Sequence, residues 1–285
     1  MAPCNKISPE NYRQSEQNYF KFENEEDVDK KLELLDQCRE FLQVQFRTMD
    51  PTNHIQGLKK FWEQPFGLDL LSAWFEWVTN GSRDGCLKKT VAENSEMVFS
   101  MIKRVLSDMK GESWDKKFEE VLNNSHSNFG NDTESRIFLI RDLARTWKNQ
   151  PEKILFYEGE DDLSKMSKQP FIHVIRVSQL GAGDSDYDYK LKISLRVGNT
   201  IIFDDISLVD AFSGLIQVIF SFNLMYPVEA DDMFQFVQRI MASFGPTDGA
   251  RNKSGKIRKP FLDFQCAVGK IMLETRNADV VKKLI

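Results

Sequence analysis

The spacing of apolar residues changes near residue 150, and that change limits the folds open to the chain. Before Gln150, hydrophobic side chains recur at three-, four- and seven-residue steps, as amphipathic helices require. After it they fall into short β-branched runs and strict alternation, as strands require. The expected class is mainly α with an α+β C-terminal part. It consists of an N-terminal helical bundle followed by a small antiparallel sheet packed with helices.

Residues 1–23 are polar and are expected to form a flexible N-terminus. Asn24 with Asp27 resembles an N-cap pair, and Val28, Leu32, Leu35, Leu42, Phe46 and Met49 carry one helical face to about Met49, before Pro51. Further helical faces run through Ile55–Trp62, Leu68–Val78, Val91–Met109, Trp114–Leu122 and Ile137–Trp147, with Asn80-Gly81 and Gly111 as stops. Short connections between them predict a compact bundle over 24–150. Beyond it, Ile154–Tyr157 and Phe171–Val177 read as strands. Tyr187 to Val197 alternates with polar neighbours, and Gly198-Asn199 turns the chain into Thr200–Phe203, which predicts a β-hairpin. A helix capped by Asp204 or Asp205 follows from Ser207, Pro227 opens another, and a last one lies near Pro260–Thr275. Residues 151–285 are thus expected as a second domain, with Glu160–Gln169 as the hinge.

Of the 285 residues 41% are hydrophobic and 12% aromatic, enough to build a substantial core. A net charge of −5 gives no overall field that would steer the chain to nucleic acid. Cys4, Cys38, Cys86 and Cys266 form no CxxC unit, which predicts reduced thiols and a cytoplasmic or nuclear location. The first thirty residues hold no apolar stretch of the signal-peptide kind. The most apolar stretch, Leu208 to Tyr226, is broken by Asp210, Ser213, Gln217, Ser221 and Asn223, so it reads as a buried helix and no membrane span is expected.

Known chemical motifs fail at named positions. Gly249 to Gly255-Lys256 has five intervening residues where a phosphate-binding loop needs four, and Ile257 stands where Ser or Thr would hold magnesium. Asp184-Ser-Asp-Tyr-Asp188 begins like a calcium loop but lacks its glycine and closing glutamate. The remaining acidic clusters, at Glu158–Asp162, Asp204-Asp205 and Glu229–Asp232, read as solvated turns and helix starts. His54, His126 and His173 are isolated, and His173 falls inside a strand. No metal or cofactor is expected, and no catalytic residue is assigned. A site assembled only by folding, such as a Cys–His pair, leaves no local trace.

Two surfaces remain as candidates. Arg251, Lys253, Lys256, Arg258 and Lys259 place five positive charges in nine residues, either a solvated loop or a contact for anions or nucleic acid. Trp74 and Trp77, three residues apart, share a helical face, either the centre of the bundle or a partner surface.

The segments Ile201-Ile-Phe-Asp-Asp-Ile-Ser-Leu-Val-Asp-Ala-Phe212, Asn223-Leu-Met-Tyr-Pro227 and Phe234-Gln-Phe-Val-Gln238 carry a resemblance. Over residues 201–244 the chain resembles the C-terminal segment of a set of uncharacterised animal proteins, abundant in fish and in part associated with mobile elements. The resemblance implies a recurring packing module, supplies no functional residues, and leans away from an enzyme. The expected function is a non-enzymatic protein–protein interaction, oligomerisation or adaptor module, with a protein partner or self-association. The alternative is a nucleic-acid-binding or nucleocapsid-like protein that uses 251–259, and an enzyme with an unrecognised site comes third.

Overall fold

The computed structural model describes residues 8–38, 41, 44, 71, 72, 75, 87–124, 131–178, 189–221, 224–243, 259 and 261–270. It divides into two compact units, 1–84 and 85–285.

In the first unit, helix α1 (Pro9–Asn24) begins where Ser8 accepts the Asn11 N–H at 3.1 Å, with Pro9 in the first turn. The segment expected to be flexible is therefore helical from Pro9. Its buried positions Ser15, Asn18, Tyr19 and Phe22 follow a helical step, a sparse stripe that the polar composition conceals. Asn24 ends this helix by donating to the Phe20 carbonyl, and Asp27 accepts the Lys30 N–H at the start of α2 (Val28–Gln37). The helix expected from Asn24 thus begins at Val28, capped from the Asp27 side of the expected pair, and α1 and α2 pack on each other. The Tyr19 ring lies 4.8 Å from that of Phe41, and Ser15 accepts the Phe41 N–H.

The second unit joins three helices to a sheet. Helix α3 (Leu87–Lys110) buries Leu87, Val91, Val98, Ile102, Val105 and Leu106 along one side and ends at Gly111, whose φ of +72° suits glycine. Helix α4 (Glu112–Asn124) and helix α5 (Asn131–Thr146) pack on it and on each other. Asp142 ties the three together by accepting from Lys110 Nζ at 2.7 Å and Trp114 Nε1 at 2.6 Å. Because α3 and α5 also pack against elements of the C-terminal half, the change of period at 150 marks a change of secondary structure and not of core.

The sheet has the order β1-β2-β3-β4, with β1 (Leu155–Tyr157), β2 (Pro170–Ser178), β3 (Tyr189–Val197) and β4 (Thr200–Phe203). β2, β3 and β4 are antiparallel as expected, but β1 runs parallel to β2, so the sheet is mixed. Residues 158–169 make the crossover that a parallel pair needs, with a 3₁₀ turn at Leu163–Lys165. That segment, expected as a hinge, lies inside one unit. Gly198, with φ +55°, opens the two-residue β3–β4 turn, and a register shift beyond it lets Ile202 and Phe203 both reach the core.

Helix α6 (Leu208–Ser221) is buried from Ala211 to Phe220 and packs between α3 and strands β2 and β3. Its cap is Ser207, which accepts the Asp210 N–H at 3.0 Å. Asp204 and Asp205, expected in that role, pair instead with Lys192 and Lys190. A short helix α7 (Asp231–Phe236) widens into a π turn (Val237–Met241), and a final helix α8 covers 261–270. Among the described residues no helix is long and apolar enough to cross a membrane.

Candidate functional site

Three polar arrangements in the second unit had no local signal in the sequence. The first closes the sheet. β1 pairs with β2 through Ile154 C=O and Glu158 N–H, which leaves Leu155 C=O and Tyr157 N–H on its outer edge. Arg141, from α5, donates to the Leu155 carbonyl at 3.1 Å and to both carboxylate oxygens of Asp161 at 2.6 and 2.7 Å. Asp161 in turn accepts the Tyr157 N–H at 2.7 Å. The ion pair occupies the edge where another strand would add. Burial opposes the charge on both groups. Burial is the largest single influence, but the hydrogen bond and charge attraction between them, with the Tyr157 N–H on Asp161, together outweigh it and hold Arg141 above its ordinary value and Asp161 below the usual carboxylate range. The cluster expected as solvated, Glu158–Asp162, is thus in part a structural clamp. This site holds a sheet edge.

The second is His173, on β2, whose ring forms a cluster with those of Phe156 and Phe171. Burial, aided by the nearby Arg196 charge, pushes its pKa below the ordinary histidine value. Its Nε2 therefore donates to Glu158 Oε2 at 3.0 Å as a neutral ring, and Nδ1 is buried without a partner among the described residues. The third lies at α7. Asn149 donates to Asp232 Oδ2 and accepts the Met233 N–H. Gln235 donates to Asp231, and the Tyr226 hydroxyl donates to Gln238. Tyr226 also stacks on Phe234 at 5.3 Å, so residues that carry the resemblance pack on one another. Asp231 and Asp232, expected as a solvated helix start, are buried. Among the described residues no group of three His, Cys, Asp or Glu side chains is placed to hold a metal ion.

Open space occurs elsewhere, in a cleft of about 420 Å³ between α3, the end of α5 and α8. Val105, Met109, Trp147, Phe264 and Ala267 supply apolar surface, and Arg104, Asp108, Asp263 and Lys270 supply charge. Trp147 is placed there because α5 ends in a left-handed residue, Lys148 at φ +58°. Bonds from Lys148 N–H to Arg145 C=O and from Asn149 N–H to Ala144 C=O then fold the chain back. The indole packs edge-on against Phe264 at 5.5 Å and Phe236 at 6.0 Å, yet its N–H has no acceptor among the described residues. Met109 stands at the cleft 62% exposed. The Thr146 hydroxyl is bound to the Asp142 carbonyl, so it adds no free nucleophile.

The surfaces singled out in the sequence fall differently. Trp74 and Trp77 lie outside the described residues, as do Arg251, Lys253, Lys256 and Arg258, while Lys259 is exposed. His54, His126 and Asp184–Asp188 are also outside them. Cys38 is buried, which pushes its thiol up to about 12, and Cys266 is exposed on α8. Met109 and Trp147 read as ordinary positions on helical faces, and nothing local marks them as lining a cleft. Compared with protein-family models, curated proteins and solved structures, the chain has no match.

Proposed function

We propose that the chain is a non-enzymatic protein-interaction module whose recognition site is the cleft between α3, α5 and α8. The observation that carries this reading is the composition of the cleft. A floor of Val105, Trp147 and Phe264 sits under an exposed Met109, with charges at the margin. Partner-binding surfaces combine a packed aromatic anchor, an apolar centre and a polar rim in this way. Trp147 is such an anchor, and its unused N–H suits a carbonyl from a docked chain. The clamp on β1 supports the same reading from the other side, since it blocks strand addition at that edge.

Affinity capture with the full chain tests the reading. Ala267→Arg places a long charged side chain in the cleft without removing a core residue. It is expected to lose the proteins that the wild-type chain captures, while Lys168→Glu, on an exposed turn, keeps them. Equal capture by all three chains would sink the proposal.

A further inference from the structure

The charges around the cleft identify one occupant. Asp263, Ala267 and Lys270 all line it, and they stand four and three residues apart on α8, so they form one stripe two turns long. The stripe reads acid, small residue, base. α3 contributes the same pairing to the facing wall, with Arg104 and Asp108 one turn apart. Asp108, Asp263 and Lys270 have no ion-pair partner among the described residues. A rim with two acids and two bases has no net charge and favours neither a uniformly basic partner nor a uniformly acidic one. It matches a copy of itself turned through a half rotation, because a two-fold contact sets residue i against j and j against i.

We infer that a second copy of this chain docks on the cleft, cleft to cleft about a two-fold axis near Ala267, with Asp263 of each copy opposite Lys270 of the other. The small side chain of Ala267 lets the two α8 helices approach at the axis. The exposed Met109 of each copy then meets the apolar floor of the other, where its flexible thioether suits an irregular cleft. This inference rests on the interaction reading above and adds the identity of the partner.

Sedimentation equilibrium of the full chain between about 1 μM and about 1 mM covers the affinities at issue. The expected result is a reversible dimer. Asp263→Lys and Lys270→Glu each set like charges against each other and are expected to weaken it about 10-fold, and the double reversal to restore it. Ala267→Arg is expected to be monomeric with an unchanged circular dichroism spectrum. A chain that stays monomeric throughout, a dimer that survives Ala267→Arg, or a double reversal no tighter than the singles would overturn the inference. The two failures are distinguishable. A monomer that still loses its captured proteins on Ala267→Arg ends self-association alone, whereas a chain indifferent to Ala267→Arg in both assays ends the interaction reading as well.

Discussion

Arg141 and Asp161 satisfy each other and two backbone groups that would otherwise face outward from β1. Their side chains are only 4% and 9% exposed, so removing one strands the other in a poorly solvated place. Arg141→Met is therefore expected to cost about 3–5 kcal/mol in urea unfolding, and the double change Arg141→Met with Asp161→Leu to recover part of it. A loss below about 1 kcal/mol would show that the pair behaves as a surface contact. His173 makes the second residue-scale prediction. Its folded pKa lies below its unfolded value of about 6.5, so the unfolded chain takes up the proton first. Stability is then full above that value and falls as pH drops toward the folded pKa. In His173→Gln this part of the slope is expected to vanish, and an unchanged slope would assign it elsewhere. The sequence placed His173 in a strand, because it lies in the short apolar run Phe171–Val177 with its β-branched residues. It gave no hint that Glu158 meets His173 or that Arg141 meets Asp161, because the first pair forms only when β1 joins β2 and the second only when α5 packs on β1.

At the scale of elements, α6 holds the unit together, and its fit to the sheet turns on Gly214. A Cβ there would lie 3.0 Å from Leu195 Cδ2, close enough that the leucine tip must shift. Gly214→Val is expected to destabilise the fold by about 1–3 kcal/mol through overpacking, with Leu195→Ala partly compensating. Thermal melting of the three variants checks this, and independent, additive losses would contradict it. Local rules made much of this level legible. Gly111 stops α3, Gly198-Asn199 makes the hairpin, and the apolar run from Leu208 forms a buried helix. They failed where pairing is non-local. Nothing in Leu155-Phe-Tyr157 states that it pairs parallel to β2, since a three-residue strand has no room for a pattern. They failed also at α1, where four buried positions are too few to stand out among polar neighbours.

At the scale of the molecule, the sequence suggested a boundary at 150, whereas the two units are 1–84 and 85–285. Helical period reports which element a residue belongs to, but membership of a core depends on what the element packs against, and α3 packs against α6. The cleft is a property of this level. Met109, Trp147 and Ala267 come from three separated stretches, each unremarkable by itself. The central claim, that the cleft is where a protein docks, is tested most directly by a photoreactive phenylalanine analogue at position 109. Irradiation in cells followed by mass spectrometry is expected to give a covalent adduct between residue 109 and a protein, with peptides of this same chain as the partner if the two-fold contact holds. A residue 109 that captures no protein, while the same probe at an unrelated exposed position behaves identically, would contradict the account.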